Sequence, residues 1–373
     1  MVERQRRILL LSDVNSVHTR KWALSLAGDG YLVGIFSLNK KKEDWLNQNP
    51  SILYLSEATN FNASEGSDIG KLKYISALSG LKKAIRQFNP DILHAHYATS
   101  YGLLGALAGF HPFIISVWGS DVFDFPKKGS LFRRLLRYNL KKADKILSTS
   151  KIMAKETSGY TDKEIIITPF GVDTDIFKPK EPPPFYKQGD IVIGTIKALE
   201  KKYGIEYLIR AFGLLKKRNP QMPLKLMIVG KGSLLNELKA LAAELNIEQD
   251  VHFTGFVDPE QIPAYHNLFT VEVFPSVSDS ESFGVAVIEA SACGKPVVVS
   301  NVGGLAEVVE NNKTGILVPP KDSEKIAGAV EKLLTDSNLR NEMGVNGRQR
   351  VEKLYEWNDC VMQMEDIYNK MAP

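Results

Sequence analysis

The sequence predicts an α/β protein with two domains, each built on a parallel β-sheet covered by helices on both faces. Short apolar runs rich in β-branched residues alternate with stretches of helical periodicity, which is the pattern of such sheets. These runs fall into two sets, separated by a proline-rich segment at 178–185. The 373 residues are enough for about two domains with separate cores.

The predicted strands follow from these runs. Those of the first set are 7–12, 32–37, 92–96, 113–118, 145–149 and 165–168, and those of the second set are 191–196, 224–229, 251–254, 271–274 and 297–300. The prolines between the sets cannot continue a helix or a central strand, so we place the domain boundary there. The domains are therefore 1–178 and 179–353, followed by a C-terminal helical segment, 354–373. Ligands of open α/β sheets bind at the carboxyl ends of the strands, so two such domains facing each other would leave a cleft.

Composition indicates an ordinary globular protein, with 44% hydrophobic and 24% charged residues. No apolar run approaches the roughly 20 residues that span a bilayer. The basic start of the chain is followed by an apolar run, 8–11, that is too short for a signal-peptide core. We therefore expect a cytoplasmic protein. Cys293 and Cys360 are the only cysteines and imply no disulfide framework.

The segment 281–296 carries the most chemical information. Residues 285–293 predict a helix that is apolar nearly all round, which is typical of a buried helix, and Glu289 is its only charge. A buried carboxylate needs a hydrogen-bonding partner, so we expect a hydroxyl-bearing ligand or a cation beside it. Gly284 at the helix start leaves backbone N–H groups for an anion such as a phosphate. Glu281 would then lie just outside this anion site, within reach of the group that the phosphate carries.

Several motifs together resemble the donor-binding half of glycosyltransferase family 4. The resemblance rests on Phe274-Pro275-Ser276, the two glutamates eight positions apart, Gly294-Lys295-Pro296-Val297-Val298, and Gly303-Gly304 followed by Glu307. It extends more weakly to 7–30 and to Gly171-Val172-Asp173 with Phe177 and Pro179. It implies a GT-B fold, with two Rossmann-like domains facing across a cleft and a C-terminal helix that returns to the first domain. It also implies transfer of a sugar from a nucleotide donor, with retention at the anomeric carbon.

Lys197 and Lys202 are the candidate diphosphate ligands. A fixed cation beside the departing diphosphate lowers the barrier to breaking the anomeric bond. The family commonly has Arg-Leu-x3-Lys-Gly in this segment, whereas here Lys197 replaces the arginine and Tyr203 separates Lys202 from Gly204. A lysine lacks the bidentate fork of arginine, so the first contact is expected to be looser. The alternative is that 200–202 forms a solvated turn.

The resemblance assigns further donor contacts. It implies that Glu281 binds the donor sugar, that Glu289 binds the ribose hydroxyls, and that the 282–284 loop binds the phosphates. The members of that loop are Ser282, Phe283 and Gly284. The turn containing Gly230 follows a strand and opens a helix, which is a plausible phosphate-facing turn but a weak signal by itself. Backbone near Gly255 and Phe256 would contact the base, for which uridine is favoured.

Two acidic patterns suggest a divalent metal, which other glycosyltransferases hold with an Asp-x-Asp motif. Asp173-Thr174-Asp175 has this form, but its place in the linker motif favours turn capping. Asp279-Ser280-Glu281 has a similar form, but the lysine pair already supplies positive charge. We therefore predict no metal and no cofactor, with the nucleotide sugar as co-substrate.

Acceptor-side candidates follow the predicted strands of the first domain. Ser16, His18 and Thr19 stand where many relatives carry a Gly-Gly pair, and Trp118 stands where many have a histidine that contacts the donor sugar. Trp118 cannot act as an acid or base but can stack on a sugar or donate one N–H. The remaining candidates are His94 and His96, which alternation puts on one face of a strand, and Asp121, which would either orient an acceptor hydroxyl or cap the next helix.

Charge is divided unevenly between the two halves. Residues 1–178 hold 25 Lys/Arg against 17 Asp/Glu, a net of +8, whereas residues 179–373 hold 22 against 26, a net of −4. Much of the excess lies in 127–145, where a leucine stripe is flanked by basic residues. Such a helix can lie on an anionic membrane or simply pack into the core with its arginines in water. A glycan, lipid-linked or small-molecule acceptor is expected, and no nucleic acid.

Three other functions were considered. A GT-B nucleotide-sugar epimerase would use the same donor without an acceptor, but such enzymes do not usually carry the 281–304 segment. A Rossmann dehydrogenase is disfavoured because no Gly-x-Gly-x-x-Gly follows the first strand. A non-catalytic protein that binds a nucleotide sugar is the third. The preferred interpretation is a retaining, metal-independent hexosyltransferase of polysaccharide or glycolipid biosynthesis.

Overall fold

A computed structural model describes residues 4–42, 45–56 and 77–372. The chain divides into two compact units, each with its own sheet and core. Unit 1 comprises Met1–Pro169 with Cys360–Pro373, and unit 2 comprises Phe170–Asp359.

Unit 1 is an α/β unit with a wholly parallel sheet. Its strands are β1 (Arg7–Leu11), β2 (Leu32–Phe36), β3 (Ile52–Tyr54), β4 (Ile92–His96), β5 (Phe113–Val117), β6 (Lys145–Ser148) and β7 (Ile165–Ile167). Its helices are α1 (Val17–Gly28), α2 (Leu78–Phe88), α3 (Ser100–Ala108), α4 (Ser120–Phe123), α5 (Ser130–Lys142) and α6 (Lys151–Ser158). Among the described residues, the strand order is β3-β2-β1-β4-β5-β6-β7. The order therefore reverses between β1 and β4.

The core of unit 1 explains its strand sequences. The strands β4 and β5 are buried along their whole length, as expected for central strands covered on both faces. Helices α2, α3 and α5 contribute Leu81, Leu104 and Leu136 to the same core, where all three are fully buried.

Unit 2 repeats this architecture. Its strands are β8 (Ile191–Ile196), β9 (Leu224–Val229), β10 (Val251–Gly255), β11 (Val271–Phe274), β12 (Val297–Ser300) and β13 (Gly315–Val318). Its helices are α7 (Ile205–Arg218), α8 (Leu235–Glu244), α9 (Ile262–Leu268), α10 (Val285–Ala292), α11 (Leu305–Val308), α12 (Ser323–Thr335) and α13 (Ser337–Leu354), and α14 (Trp357–Met371) begins here and continues into the residues of unit 1. The order of the described strands is β10-β9-β8-β11-β12-β13, all parallel. The reversal lies between β8 and β11.

The eleven strands expected from the sequence are all present, each within one residue of its predicted bounds at either end. Two strands were not predicted, β3 and β13. The first has only three residues and lies at the sheet edge, and the second begins at a glycine after a polar turn. Both are too short or too mixed in composition to be recognised by an apolar run.

The units divide nine residues before the proline-rich segment. Val172 explains this position, because its N–H donates to the Tyr355 carbonyl at 2.8 Å and its carbonyl accepts from the Trp357 N–H at 3.0 Å. Arg348 also donates to the Phe177 carbonyl at 3.2 Å. Residues 170–178 are thus bonded to unit 2, whereas the sequence placed them in the first domain. The helical segment predicted from 354 begins at Trp357 instead, because α13 runs to Leu354.

The basic helix α5 packs into the core, which is one of the two alternatives for its sequence, and its contact with a membrane stays a prediction. Leu136 and Leu140 are fully buried in the core, whereas the Leu131 side chain is 71% exposed. Arg133 and Arg134 are exposed beside it. In the described part of the chain, no helix is both long and apolar enough to cross a membrane.

Candidate active site

The donor-side candidates converge where the strand order of unit 2 reverses. Lys197 directly follows β8. Ser276 lies two positions after the end of β11, the strand that pairs with β8. The carboxyl ends of two such strands form the usual binding crevice of an open parallel sheet, because their outgoing chains turn in opposite directions. The sheet topology therefore places both segments at one edge.

Lys197 and Glu281 form an ion pair at this edge. The Lys197 Nζ lies 3.2 Å from each oxygen of the Glu281 carboxylate, and the Ser276 hydroxyl donates to the same carboxylate at 3.3 Å. The two charged side chains are only 16% and 9% exposed. Low exposure reduces screening, so this pair is held more firmly than a surface pair.

Tyr203 lies beside both candidate cations. Its ring centroid is 4.6 Å from the Lys197 Nζ and 4.8 Å from the Lys202 Nζ, within the range of cation–π attraction. The extra residue that separates Lys202 from Gly204 thus contacts both lysines. The sequence had identified the departure from the family pattern, but not this contact.

Two glycines allow the loops of this site to pack backbone against backbone. Gly204 adopts φ +62°, and a Cβ there would lie 2.2 Å from the Pro275 carbonyl oxygen. Gly303 adopts φ +47°, and a Cβ there would lie 2.3 Å from the Glu281 carbonyl oxygen. The same carbonyl accepts the Gly304 N–H at 2.6 Å. The Gly-Gly pair found in the sequence therefore braces the loop that carries Glu281.

The start of α10 has the form expected for anion binding. Gly284 is the N-cap residue, in the left-handed region at φ +106°. The first α10 amides that bond back to it are those of Val287 and Ile288, so the preceding amides are not used by the helix. The Phe283 ring is buried against Phe170 and Tyr355, which fixes the backbone before the helix. Ser282 lies in the same loop and is half-buried.

The turn at Gly230 is packed against the Lys197 segment. A Cβ on Gly230 would lie 2.1 Å from the Lys197 carbonyl oxygen, so the glycine is needed for this close approach. The Glu200 carboxylate accepts the Ser233 N–H at 2.9 Å and its hydroxyl at 2.6 Å, just before α8. The Ser233 N–H, which a phosphate bound at this turn would contact, therefore already has the Glu200 carboxylate as its acceptor.

The predicted base segment lies next to this turn. The Gly230 N–H donates to the Gly255 carbonyl at 2.9 Å, and the Phe256 ring is 61% exposed. The Lys231 Nζ lies 4.8 Å from the centroid of that ring. Gly255 has φ +74°, and a Cβ added there would have no atom within 4 Å.

Glu289 has the cationic neighbour that its apolar helix required. Its carboxylate lies 3.7 Å from the Nε2 of His266, and the other ring nitrogen, Nδ1, lies 2.7 Å from Glu272. His266 and Glu272 are fully buried. Burial alone would lower the pKa of His266, but the Glu272 carboxylate, with Glu289, raises it to about 9. His266 is thus protonated at neutral pH.

His266 and Glu272 were not among the candidates from the sequence. One signal was present, because Glu272 is the only charge in the buried strand β11. A charge on a central strand needs a partner, but the sequence does not show that α9 provides it.

On the acceptor side, His94 and His96 share one face of β4, as alternation predicted. Their ring centroids are 4.6 Å apart. His94 bonds to the Tyr368 hydroxyl at 2.7 Å and the Ser116 hydroxyl at 2.8 Å, and His96 to the Ser12 hydroxyl at 3.2 Å. Burial lowers the pKa of His94 to about 3 and, with His94 and His18 nearby, that of His96 well below its ordinary value. Both rings are therefore neutral.

Trp118 covers His96 at the end of β5. The two ring centroids are 4.6 Å apart, and the His18 ring lies edge-on to the Trp118 ring with centroids 5.9 Å apart. Ser16 is the N-cap residue of α1 and is half-buried, whereas Thr19 is buried against Ser12 at 2.6 Å. The structure thus brings His18, Trp118 and His96 together as a cluster of aromatic rings.

Asp121 lies within α4, whose N-cap residue is Gly119, so it is not the cap of that helix, and its contact with an acceptor hydroxyl stays a prediction. It is fully buried, and its carboxylate accepts backbone N–H groups of Ala98 at 2.7 Å, Gly119 at 2.8 Å and Trp118 at 3.2 Å. Burial raises the pKa of Asp121, while these amides act in the opposite direction. Its lone pairs fix the Trp118 loop.

The Asp-x-Asp sequence is a capped turn. Asp173 accepts the N–H groups of Asp175 at 2.9 Å and Ile176 at 3.0 Å. Among the residues that the structure describes, no group of three or more His, Cys, Asp or Glu side chains is arranged to hold a metal ion.

Sequence comparison identifies the family. Residues 177–350 match the family model described as "Glycosyl transferases group 1", and residues 7–150 match the model described as "Glycosyl transferase 4-like". The chain belongs to glycosyltransferase family 4. Both models describe glycosyltransferases, which does not favour the epimerase alternative.

Curated relatives agree with this family. This glycosyltransferase is 25% identical, over 78% of each chain, to an uncharacterised glycosyltransferase of Methanocaldococcus jannaschii. It is 33% identical over 210 residues to a Mycobacterium tuberculosis protein named GDP-mannose-dependent α-(1-6)-phosphatidylinositol monomannoside mannosyltransferase. The latter match covers 53% of this chain and 54% of that protein.

A solved structure shows the same fold. Sucrose-phosphate synthase from Thermosynechococcus elongatus superposes with a TM-score of 0.82, at 22% identity, over 98% of this glycosyltransferase and 99% of that chain. The GT-B fold class expected from the sequence is confirmed.

Proposed function

We propose that this glycosyltransferase moves a sugar from a nucleoside diphosphate donor to a hydroxyl of a glycan, lipid-linked or small-molecule acceptor, with retention and without a metal. The observation that supports this most is the grouping of Lys197, Tyr203 and Lys202 with Glu281 at the carboxyl edge of the unit 2 sheet. Two cations at this edge can neutralise the charge that develops on a departing diphosphate.

On the donor side, the bond between the anomeric carbon and the diphosphate oxygen breaks, and the electron pair stays on the diphosphate. Lys197 and Lys202 neutralise this charge, and the backbone N–H groups of Phe283 and Gly284 assist at the start of α10. The carboxylate of Glu281 has about four lone-pair sites. Its bonds to Lys197 and Ser276 therefore leave capacity for a hydroxyl of the donor sugar.

Retention follows if the acceptor attacks from the face that the diphosphate leaves. The acceptor oxygen forms the new bond to the anomeric carbon, and its proton passes to an oxygen of the departing diphosphate. No enzymic nucleophile is required in this scheme. The Trp118 ring, which packs against His18 and His96, then offers an aromatic surface on which a sugar can stack.

The acceptor is proposed to be a glycan or a lipid-linked molecule. The mycobacterial relative is named for a phosphatidylinositol mannoside acceptor. In this chain, the exposed Leu131 with Arg133 and Arg134 would suit peripheral contact with an anionic membrane. Co-flotation with vesicles containing phosphatidylglycerol tests this contact, with Leu131→Ser as the variant and zwitterionic vesicles as the control.

The first experiment is release of nucleoside diphosphate from a panel of UDP-, GDP- and ADP-sugars, with and without EDTA, using Glu281→Ala as the control variant. UDP-sugars are the favoured donors, and GDP-mannose is included because of the mycobacterial relative. Release from one donor, unaffected by EDTA and lost in the variant, is the expected result. Loss of activity with EDTA that Mg²⁺ or Mn²⁺ restores would overturn metal independence.

The product identifies the stereochemistry. Nuclear magnetic resonance of the transferred sugar should show the same anomeric configuration as the donor, and an inverted product would exclude the proposed front-face attack. A donor that binds, but releases no nucleotide in the presence of any acceptor fraction, would favour the non-catalytic alternative.

A further inference from the structure

Glu289, the ribose ligand that the family resemblance implies, belongs to a row of three ionisable side chains from three different elements. Glu289 belongs to α10, His266 to α9 and Glu272 to β11. His266 stands between the two carboxylates, at 2.7 Å from Glu272 and 3.7 Å from Glu289. Glu272 and His266 are fully buried, whereas the Glu289 side chain is 21% exposed.

We propose that His266 is a positioning residue, held by Glu272, which orients the Glu289 carboxylate for the ribose hydroxyls of the donor. This inference rests on the proposed function, because it takes Glu289 to be the ribose ligand. His266 itself does not touch the donor. Its effect is on the direction of the carboxylate in front of it.

The geometry of the imidazole ring supports this role. Its two nitrogens point in different directions, so the bond from Nδ1 to Glu272 fixes the line along which Nε2 points. In the part of the chain that the structure describes, Nε2 has no hydrogen-bond partner. A buried N–H without a partner is costly, and Glu289 at 3.7 Å is the acceptor closest to completing the bond. In metal sites, a carboxylate that accepts one N–H of a histidine fixes the orientation of the ring and of its other nitrogen. Glu272 stands in this relation to His266.

The other charged and titratable groups near these three side chains are Lys295, Cys293 and Arg348. The Cys293 thiol interacts electrostatically with Glu272, Glu289, Lys295 and Arg348, and Lys295 interacts with Glu272. Lys295 donates to the Asn267 carbonyl at 3.0 Å, and Arg348 to the Ala292 carbonyl at 2.6 Å, so both cations are fixed elsewhere. Burial raises the pKa of the Cys293 thiol to about 12, so that group stays neutral. His266 is thus the cation in direct contact with Glu289.

The test is the preference for ribose over 2′-deoxyribose. Dissociation constants are measured for UDP, GDP and ADP and for their 2′-deoxy counterparts, in the wild type and in Glu289→Gln, His266→Gln and His252→Gln. His252 is an exposed histidine of the same unit and serves as the matched control. A hydrogen bond to a charged group is worth about a factor of ten in affinity, so the wild type should prefer the ribonucleotide by about tenfold.

In the expected result, His266→Gln and Glu289→Gln each reduce this preference to about twofold, and His252→Gln retains it. Should His266→Gln fail to fold, the double variant His266→Gln/Glu272→Gln replaces the buried charges with a neutral pair and is expected to show the same loss. A preference within twofold of the wild type in either His266 variant would overturn the inference.

A second measurement requires no variant. As the pH rises past about 9, His266 loses its proton, and the ribose preference of the wild type should fall. The base titrates equally in both members of each nucleotide pair, so its own ionisation cancels in the ratio. Burial also lowers the pKa of Lys295 below its ordinary value, so Lys295→Met is the control and should show the same fall.

Failure of this inference is distinguishable from failure of the proposed function. Absence of binding by all three nucleoside diphosphates would refute the donor site itself. Binding with a ribose preference that Glu289→Gln leaves unchanged would refute the role of Glu289, and with it that of His266, while the diphosphate site remained.

Discussion

His94 in unit 1 and His266 in unit 2 are both fully buried, but they have opposite partners. His94 bonds to two hydroxyl groups, those of Tyr368 and Ser116, so burial acts alone and the ring stays neutral. His266 contacts two carboxylates, so their charges outweigh the effect of burial and the ring is protonated. The same side chain is thus a neutral hydrogen-bonding group in one unit and a fixed cation in the other.

This difference extends to the proposed sites. The candidates of unit 1 include the neutral His96 packed against Trp118, whereas those of unit 2 include the Lys197–Glu281 ion pair at low exposure. An uncharged acceptor needs stacking and directional hydrogen bonds, and a diphosphate needs cations that do not move. The comparison therefore predicts that replacing charged side chains of unit 2 lowers the rate of sugar transfer. It also predicts that a change of pH affects the stability of the two units in opposite directions.

The largest effect is expected from Lys202→Ala. Loss of one preorganised charge at a leaving group typically lowers kcat by about 10²- to 10³-fold. Steady-state kinetics with the donor found in the panel gives the measurement. Lys201→Ala removes the neighbouring exposed lysine and is expected to retain activity within about twofold. Full turnover in Lys202→Ala would show that unit 2 does not depend on this cation.

Acidification should destabilise unit 1. The folded-state pKa of His94 is about 3, below its ordinary value of 6.5, so the unfolded chain takes up the proton first. Stability is therefore complete above pH 6.5 and is lost as the pH falls towards 3, by on the order of 3 kcal/mol at pH 4 from this histidine.

Hydrogen exchange of the β4 and β5 amides between pH 7 and pH 4 measures this loss. His94→Gln should weaken the pH dependence of the free energy of opening, after correction for intrinsic exchange. An equal slope in the variant would assign the acid sensitivity to other groups.

Alkaline pH should destabilise unit 2. The pKa of His266 is raised to about 9, so its ion pairs are fully formed below pH 6.5 and are lost as the pH rises through 9. Protection of the β11 and β12 amides should fall between pH 7 and pH 10, while that of β4 stays constant. His266→Gln should abolish the difference between the two sheets, and an unchanged pH slope in this variant would contradict the assignment.

A smaller effect is expected at Tyr203. Replacement by leucine removes the ring beside both lysines, and cation–π contacts of this kind are worth about 0.5–2 kcal/mol. Tyr203→Leu should therefore weaken binding of inorganic pyrophosphate by up to about thirtyfold, whereas Tyr203→Phe keeps the ring and the affinity. Equal weakening by both variants would assign the effect to the hydroxyl.

The sequence predicted the parallel sheets because buried strands such as Ile191–Ile196 consist mainly of apolar, β-branched residues, and this pattern is local. It also predicted that Glu289 needs a partner. It did not identify His266 as that partner, since the contact depends on how α9 packs beside α10. For the same reason the unit boundary was misplaced, because the bonds of Val172 to Tyr355 and Trp357 span about 185 positions and leave no local pattern.

The position of Tyr368 near the end of the sequence determines when unit 1 can complete its core during synthesis. Its side chain is almost completely buried in unit 1, and its hydroxyl bonds to His94 on a central strand. When residues 1–169 have left the ribosome, Tyr368 has not yet been synthesised, so unit 1 still lacks part of its core. All residues of unit 2, 170–359, are synthesised before the last residues of unit 1. The His94–Tyr368 hydrogen bond of unit 1 therefore cannot form until the whole of unit 2 has been synthesised.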